Sequence, residues 1–103
     1  METNGLKLHS KDNVATALDA MGKGSKAVVS GDDGRTETIE LVEDIPFGFK
    51  FATQDISPGA PIIKYGELIG VASVAIKAGS LVHIHNVEGT RGRGDVPPQG
   101  AKA

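Results

Sequence analysis

The residues best suited to chemistry lie in the second half of this 103-residue chain, and the sharpest group is His83-Ile84-His85-Asn86. On a strand, alternate residues share a face, so His83 and His85 are expected to project together about 7 Å apart, with Ile84 turned to the core. Two imidazoles at that spacing can approach one metal ion or flank one anionic ligand. A metal would need further ligands, and His9, Asp95 and a partner chain are all open. The alternative is that both histidines are exposed or hydrogen-bonded strand residues. A second group is Thr90-Arg91-Gly92-Arg93-Gly94-Asp95. Glycines around Arg91 and Arg93 free the backbone, and the guanidinium groups can grip carboxylates or phosphates in a bidentate manner. They could hold an acidic substrate, dock on an acidic partner, or simply be a solvated exit segment. Its Arg-Gly-Asp triplet has little weight as an adhesion ligand where no export signal is seen. Third, Lys64 could pair with a carboxylate and Tyr65 could donate a proton. A surface charge and a half-buried packing residue are the plainer readings, and Pro46-Phe47-Gly48-Phe49-Lys50 is likewise given a structural role. No Ser-His-Asp order, phosphate-binding glycine loop or paired-carboxylate motif stands out, so the chain by itself does not look like a complete enzyme.

The bulk composition narrows the setting. Length fits one domain, and 39% hydrophobic residues with only four aromatics leave Val, Ile and Leu to build a modest core. Eleven basic against thirteen acidic residues give a net charge of -2, which offers no general attraction to nucleic acid. The absence of cysteine excludes disulfides, zinc thiolate sites and thiol catalysis, and fits a reducing compartment. There is no apolar run of membrane-spanning length and no signal-peptide pattern after Met1, so a soluble, cytoplasmic protein without membrane contact is expected. Fourteen glycines and five prolines, spaced rather than clustered, point to many short strands joined by tight turns.

These elements must position the candidate residues. Leu6-Lys7-Leu8-His9 alternates as a short strand. Ser10 is a plausible helix N-cap with Asp12 in the first turn; Val14, Ala17, Leu18 and Met21 recur at helical spacing, and Gly22 is a stop signal. One short helix is therefore expected over residues 10–21. Lys26–Ser30 and Arg35–Val42 flank the turn-rich Gly31-Asp32-Asp33-Gly34 as a hairpin, and residues 44–48 form a bend. The second half carries an internal repeat of period 20, in which Ala52, Ile56, Gly59 and Ile62 correspond to Ala72, Ile76, Gly79 and Val82. Each copy reads as strand, apolar anchor, glycine turn, strand, which suggests a small pseudo-symmetric β structure. The reading is mainly β with one short helix: a domain over residues 1–95, then a flexible tail over 96–103. That Gly/Pro-rich end is where a further domain would join or a partner would be contacted.

In order along the chain, Ile45-Pro46-x-Gly48-x-Lys50, Asp55-Ile56-x-x-Gly59, Ile63-Lys64-Tyr65-Gly66-x-x-Ile69-Gly70 and Ile76-x-x-Gly79-x-x-Val82-His83-x-His85-Asn86-Val87 resemble the N-terminal domain of altronate dehydratases. The opening His9-x-x-Asp12-Asn13-Val14-Ala15 is similar to the start of that domain, and the resemblance covers residues 6 to 87. It implies a SAF-type domain with a β-clip fold that accompanies a much larger catalytic part. The family includes altronate and galactarate dehydratases and the sulfolactate sulfo-lyases, in which small and large parts can be separate chains. A divalent metal, usually iron, is implied for the assembled enzyme. The chain would then be the small subunit of a sugar-acid or hydroxy-acid lyase, completing the active site of a separate large catalytic chain. It would contribute His83 and His85 as catalytic or metal-binding groups, with Lys64, Arg91 or Arg93 holding substrate. One departure stands out: the family often has a histidine between the glycine and lysine of Pro-x-Gly-x-Lys, and here that position is Phe49, which implies a different substrate or a lost step. The competing readings are a stand-alone sugar-acid binding module and a purely structural subunit, with self-association of the isolated chain through an exposed strand edge also open.

Overall fold

Four short segments of the sequence fold into the same loop. Each has an apolar anchor, three residues leading to a central apolar residue, and a glycine three positions later: Ala17–Met21–Gly24, Leu41–Ile45–Gly48, Ala52–Ile56–Gly59 and Ala72–Ile76–Gly79. The glycines occupy the third position of a β-turn with φ of 88°, 83°, 81° and 88° in chain order. That is the type II signature, which a side chain would oppose, and Pro58 at the second position presets one of the turns. The expected two-copy repeat is therefore present, and two further copies lie in the first half, where Met21 and Leu41 replace the Ile and Ala that would have revealed them.

The copies clasp in pairs. In the first clasp Met21 and Ile45 exchange backbone hydrogen bonds of 2.9 and 2.8 Å, Gly24 N–H donates to Leu41 C=O at 2.8 Å, and Gly48 N–H donates to Ala17 C=O at 2.9 Å. The second repeats this pattern: Ile56 and Ile76 exchange bonds of 2.8 and 2.9 Å, Gly59 donates to Ala72 at 2.7 Å and Gly79 to Ala52 at 2.8 Å. In each clasp one aspartate accepts from the partner turn, Asp44 from Lys23 N–H and Asp55 from Ala78 N–H, both at 2.9 Å. The reciprocal site opposite Asp55 is Ala75 facing Pro58, a residue with no N–H to satisfy.

The structure, a computed structural model, describes residues 3–31 and 33–89. Arg91, Arg93 and the 96–103 tail lie outside the described residues. Among the described residues nine strands carry the fold: β1 (Gly5–Leu6), β2 (Val14–Ala17), β3 (Lys26–Ser30), β4 (Thr36–Glu40), β5 (Lys50–Ala52), β6 (Pro61–Lys64), β7 (Glu67–Ala72), β8 (Leu81–Val82) and β9 (Val87–Glu88). A six-stranded sheet runs β4-β3-β1-β2-β5-β8, and a three-stranded sheet runs β6-β7-β9. All pairs are antiparallel except β1 with β3. The β3–β4 hairpin forms as expected, with Ser30 opposite Thr36. Among the described residues there is no helix, hence none long and apolar enough to cross a membrane.

Each clasp has its own core. Phe51, Ala15, Ala17, Val29 and Leu41 pack around Met21 and Ile45, whereas Val14, Ala52, Ile62, Ala72 and Val82 pack around Ile56 and Ile76. This explains why the expected helix over residues 10–21 is instead the strand β2. That strand lies between the two cores, with Val14 serving one and Ala15 and Ala17 the other, so three of its four residues are buried. A strand covered on both faces shows no period-2 alternation, and the remaining apolar spacing then imitates a helix. Asp12, expected in a helical first turn, is 3% exposed. Its carboxylate accepts the N–H groups of Leu8 at 3.1 Å, His9 at 3.2 Å and Gly66 at 2.8 Å. Asn13 acts beside it as a short false strand: its side chain accepts from Ile63 N–H and donates to Pro61 C=O, both at 2.8 Å. These two residues tie the N-terminal segment to β6 and the turn that follows it.

Gly79 is where the second clasp rests on the first. A Cβ there would run into the Glu40 backbone carbonyl, whereas Gly59, in the equivalent turn of the other copy, has open space around it. Both have positive φ, so Gly59→Ala should cost only the left-handed strain of about 1–2 kcal/mol. Gly79→Ala adds overpacking against backbone and should cost a further 1–3 kcal/mol, roughly. Chemical denaturation of the two variants measures the difference, and equal losses would contradict this account of the junction.

Candidate functional site

β5 and β8 are paired so that Lys50 lies opposite Val82, and the chain leaves β8 directly into His83. β6 ends at Lys64, after which Tyr65 and Gly66 turn the chain into β7. These ends converge on a cleft of about 480 Å³ lined by Lys50, Lys64, His83, Ile69, Ile84, Val87 and Gly89. Two ammonium groups and one imidazole thus face a partly apolar wall, and no carboxylate is among the lining residues. The ion pairs seen among the described residues are Lys7 with Glu37 and Arg35 with Asp33, and neither includes a cleft lysine.

Each polar group is held from behind. Lys64 lies over the ring of Tyr65, 4.7 Å from its centroid, and the Tyr65 hydroxyl is 2.9 Å from Thr16 Oγ1. Tyr65 adopts φ of 56° and Gly66 φ of 78°, the backbone of a two-residue hairpin turn. A tyrosine tolerates that conformation at a cost of about 1 kcal/mol, offset here by the Thr16 hydrogen bond. The His83 ring packs against Phe49, with centroids 4.9 Å apart and planes tilted by 50°. The His83 backbone is fixed by Asn86, which is 5% exposed: its Oδ1 accepts His83 N–H at 3.0 Å and its Nδ2 donates to Leu81 C=O at 2.9 Å. Lys50, on β5 between β2 and β8, has its pKa pushed below the ordinary lysine value of 10.5, first by burial and then by the charge of Lys64.

The expected strand geometry of the His-x-His segment does not hold. Residues 83–86 form a turn closed by Asn86 N–H to His83 C=O at 3.1 Å, because Asn86 turns inward to satisfy backbone groups. Ile84, expected in the core, is 84% exposed at the tip. His83 lines the cleft and His85 does not, being exposed beyond it. Among the described residues no three His, Cys, Asp or Glu side chains are grouped to hold a metal. The cleft offers one imidazole and two cations, a poor donor set for a divalent ion. The structure thus brings His83 and Lys64 together, separates His85 from them, and adds Lys50, which sequence reasoning had assigned a structural role within Pro46-x-Gly48-x-Lys50. Its alternation with buried Phe51 on a short strand was the available signal. A second cleft, of about 280 Å³, is lined by Lys7, His9, Ser10, Asp33, Arg35, Thr36 and Glu37, but its charges are paired internally, Lys7 with Glu37 at 3.1 Å and Arg35 with Asp33 at 3.7 Å.

With this geometry in hand, comparison with known proteins is direct. The sequence profile of the altronate/galactarate dehydratase SAF domain matches residues 3–90. Altronate dehydratase of Escherichia coli (strain K12) is 43% identical over 81 residues, which are 79% of this chain and 15% of that enzyme. Galactarate dehydratase (L-threo-forming) of the same organism is 43% identical over 77 residues, 75% of this chain and 14% of the enzyme. The chain therefore spans about one-seventh of the length of these dehydratases. The (2R)-sulfolactate sulfo-lyase subunit alpha of Chromohalobacter salexigens is 31% identical over 87 residues, 82% of this chain and 93% of that subunit. The mainly β architecture agrees with the match, which extends over both clasps and all nine strands, and the chain belongs to the altronate/galactarate dehydratase SAF domain family.

Proposed function

We propose that this chain is the small, non-catalytic part of a dehydratase-type lyase, completing the active site of a large catalytic chain that eliminates water or another leaving group from a hydroxy acid. The observation that carries the reading is the cleft in which Lys50, Lys64 and His83 meet with no carboxylate among the described lining residues. A hydroxy acid brings the missing negative charge, and lysine ammonium groups at an apolar-walled cleft would orient its carboxylate. Likeness over nearly the whole length of a sulfo-lyase subunit supports the two-part arrangement.

Elimination beside a carboxylate requires a base for the proton on the adjacent carbon and an acid or metal to assist departure of the leaving group. In this reading Lys50 and Lys64 bind and hold the carboxylate, which also acidifies the adjacent carbon. The His83 imidazole, steadied by Phe49 and Asn86, donates or accepts a hydrogen bond at the cleft mouth. Ile69, Ile84 and Val87 limit water around the bound molecule. A divalent metal, implied by the family resemblance, would take its ligands from the catalytic chain, since the described residues here provide no set for one. His85, exposed and outside this cleft, would face that partner.

Pull-down of the tagged chain from its own cells should recover a dehydratase-like catalytic chain. In that complex Lys50→Met, Lys64→Met and His83→Ala should each lower kcat/KM by about tenfold or more, a loss of at least ~1.4 kcal/mol, with a smaller effect from His85→Ala. Recovery of no partner, or unchanged turnover in all the cleft variants, would refute the reading.

The charge state of Lys50 has its own test. Its pKa is lowered in the folded chain, so the unfolded chain holds that proton more tightly. Stability should therefore rise with pH between the lowered folded pKa and about 10.5. Below that window Lys50 is charged in both states and its burial opposes folding. Lys64→Met removes the smaller of the two causes and should raise the Lys50 pKa part of the way back, as read by side-chain NMR titration. A Lys50 titration indifferent to Lys64→Met would show that the two ammonium groups do not share the cleft.

A further inference from the structure

The four equivalent turns let the exposed surface be compared position by position. Their second residues are Lys23, Phe47, Pro58 and Ala78, and each turn is closed by the same bond, as from Phe49 N–H to Pro46 C=O at 3.1 Å and from Ala60 N–H to Ser57 C=O at 3.0 Å. Type II geometry calls for no aromatic at that position. Phe47 nonetheless stands there 69% exposed. The Gly48 N–H to Ala17 C=O bond brings the turn alongside Leu18, itself 39% exposed, whereas the matching Gly59 N–H to Ala72 C=O bond brings Pro58 alongside Ser73. One clasp therefore presents apolar side chains where the other presents a proline and a serine.

Isolated exposed hydrophobic residues are ordinary on a protein surface. Phe47 is not isolated in this sense. Among the described residues the two most exposed large apolar side chains are Ile84, at 84%, and Phe47. Phe47 lies two residues before Phe49, Ile84 directly follows His83, and the Phe49 and His83 rings are in contact, with centroids 4.9 Å apart. Ile84 also lines the rim of the cleft. Both side chains thus flank one contact at the cleft mouth, near enough for a single partner surface to cover them.

We propose that Phe47 and Ile84 are the anchors by which this chain docks on its catalytic chain, each seated in an apolar socket of that partner at the mouth of the Lys50–Lys64–His83 cleft. The proposal rests on the lyase reading and deepens it, because it assigns the docking face and the residues that carry the affinity. A few anchors of this kind dominate a typical interface, and aromatic side chains are prominent among them. A second copy of this chain is the poorer occupant. Phe47, Ile84 and Leu18 together offer a few hundred Å² at most, against roughly 800 Å² on each side of a stable interface. An isologous pairing across this rim would also turn the Lys50–Lys64 side of each copy towards that of the other, like charge against like. Docking on a different chain avoids both difficulties, and it would hold the Phe49–His83 contact from either side.

The test is capture of the catalytic chain, identified by mass spectrometry, by the tagged full chain and by Phe47→Pro, Ile84→Ser, the double variant and Val74→Ser. Phe47→Pro copies the Pro58 turn, and among the described residues no acceptor meets the Phe47 N–H, so the thermal midpoint should hold or rise. Val74, 52% exposed on the second clasp, is the control for loss of an exposed apolar side chain. Each anchor variant should weaken capture about tenfold, the double variant should abolish it, and Val74→Ser should bind as wild type does. Undiminished capture by the anchor variants, or an equal loss in Val74→Ser, would overturn the proposal. So would sedimentation showing a dimer of the isolated chain that Phe47→Pro dissociates, since the face would then belong to a second copy. Failure of the wild-type chain to capture any catalytic chain would count against the lyase reading itself, whereas capture that survives both anchor substitutions would discard only this docking face.

Discussion

The rest of the structure depends on the reciprocal hydrogen bonding of paired glycine turns. A short loop cannot bury its backbone unless its N–H and C=O groups find partners. Here each loop finds them in another copy of itself. The central residue of one copy bonds to the central residue of its mate, and each glycine N–H reaches the carbonyl that opens the other copy. The arrangement needs a residue with positive φ at the third turn position and a compact apolar residue at the centre, and little else. It therefore tolerates Met21 in place of isoleucine and Leu41 in place of alanine, provided that the glycine remains. With few aromatics and no helix among the described residues, the chain obtains a fold from two small cores, each built on one clasp.

Two clasps would be two unconnected halves without the strands between them. β2 serves both cores at once, and the buried pair Asp12 and Asn13 extends it by hydrogen bonding to Gly66, Ile63 and Pro61. Buried polar groups are stabilising when every atom is matched and costly when one is not. Asp12 gathers three N–H groups, and Asn13 satisfies both ends of its amide. From the other direction, Gly79 approaches the backbone of Glu40, and the Glu43 carboxylate accepts Leu81 N–H at 2.9 Å. The halves are thus fastened on two sides, and the ends of β5, β6 and β8 are brought to one place.

That convergence is what gives the cleft its chemistry. The position of Lys50 is set by pairing with β2 and β8, that of Lys64 by the strained Tyr65 turn, and that of His83 by Asn86 and Phe49. Each is a local event in a different part of the chain. Only their sum is a space with surplus positive charge. The same reasoning bears on Phe49, where the family resemblance led us to expect histidine: an aromatic hydrocarbon there supports the ring of His83, but it cannot act as an acid or base.

By itself the sequence determined the family, the mainly β class, the β3–β4 hairpin and the repeat around Ile56 and Ile76, because each leaves a local mark: ordered motifs, glycines at turn positions, or β-branched runs. It did not reveal the two earlier copies, whose anchors differ in type though not in role, and it mistook β2 for a helix because burial on both faces erases the alternation by which a strand is recognised. His83 and Lys64 were legible as candidates from residue type. That they share one cleft with Lys50, while His85 stands outside it and Ile84 faces solvent, was decided by tertiary structure. The physical reason is that a turn closed by a buried asparagine replaces strand geometry at residues 83–86, and a cleft is formed by strand ends from two sheets whose meeting no spacing along the chain records.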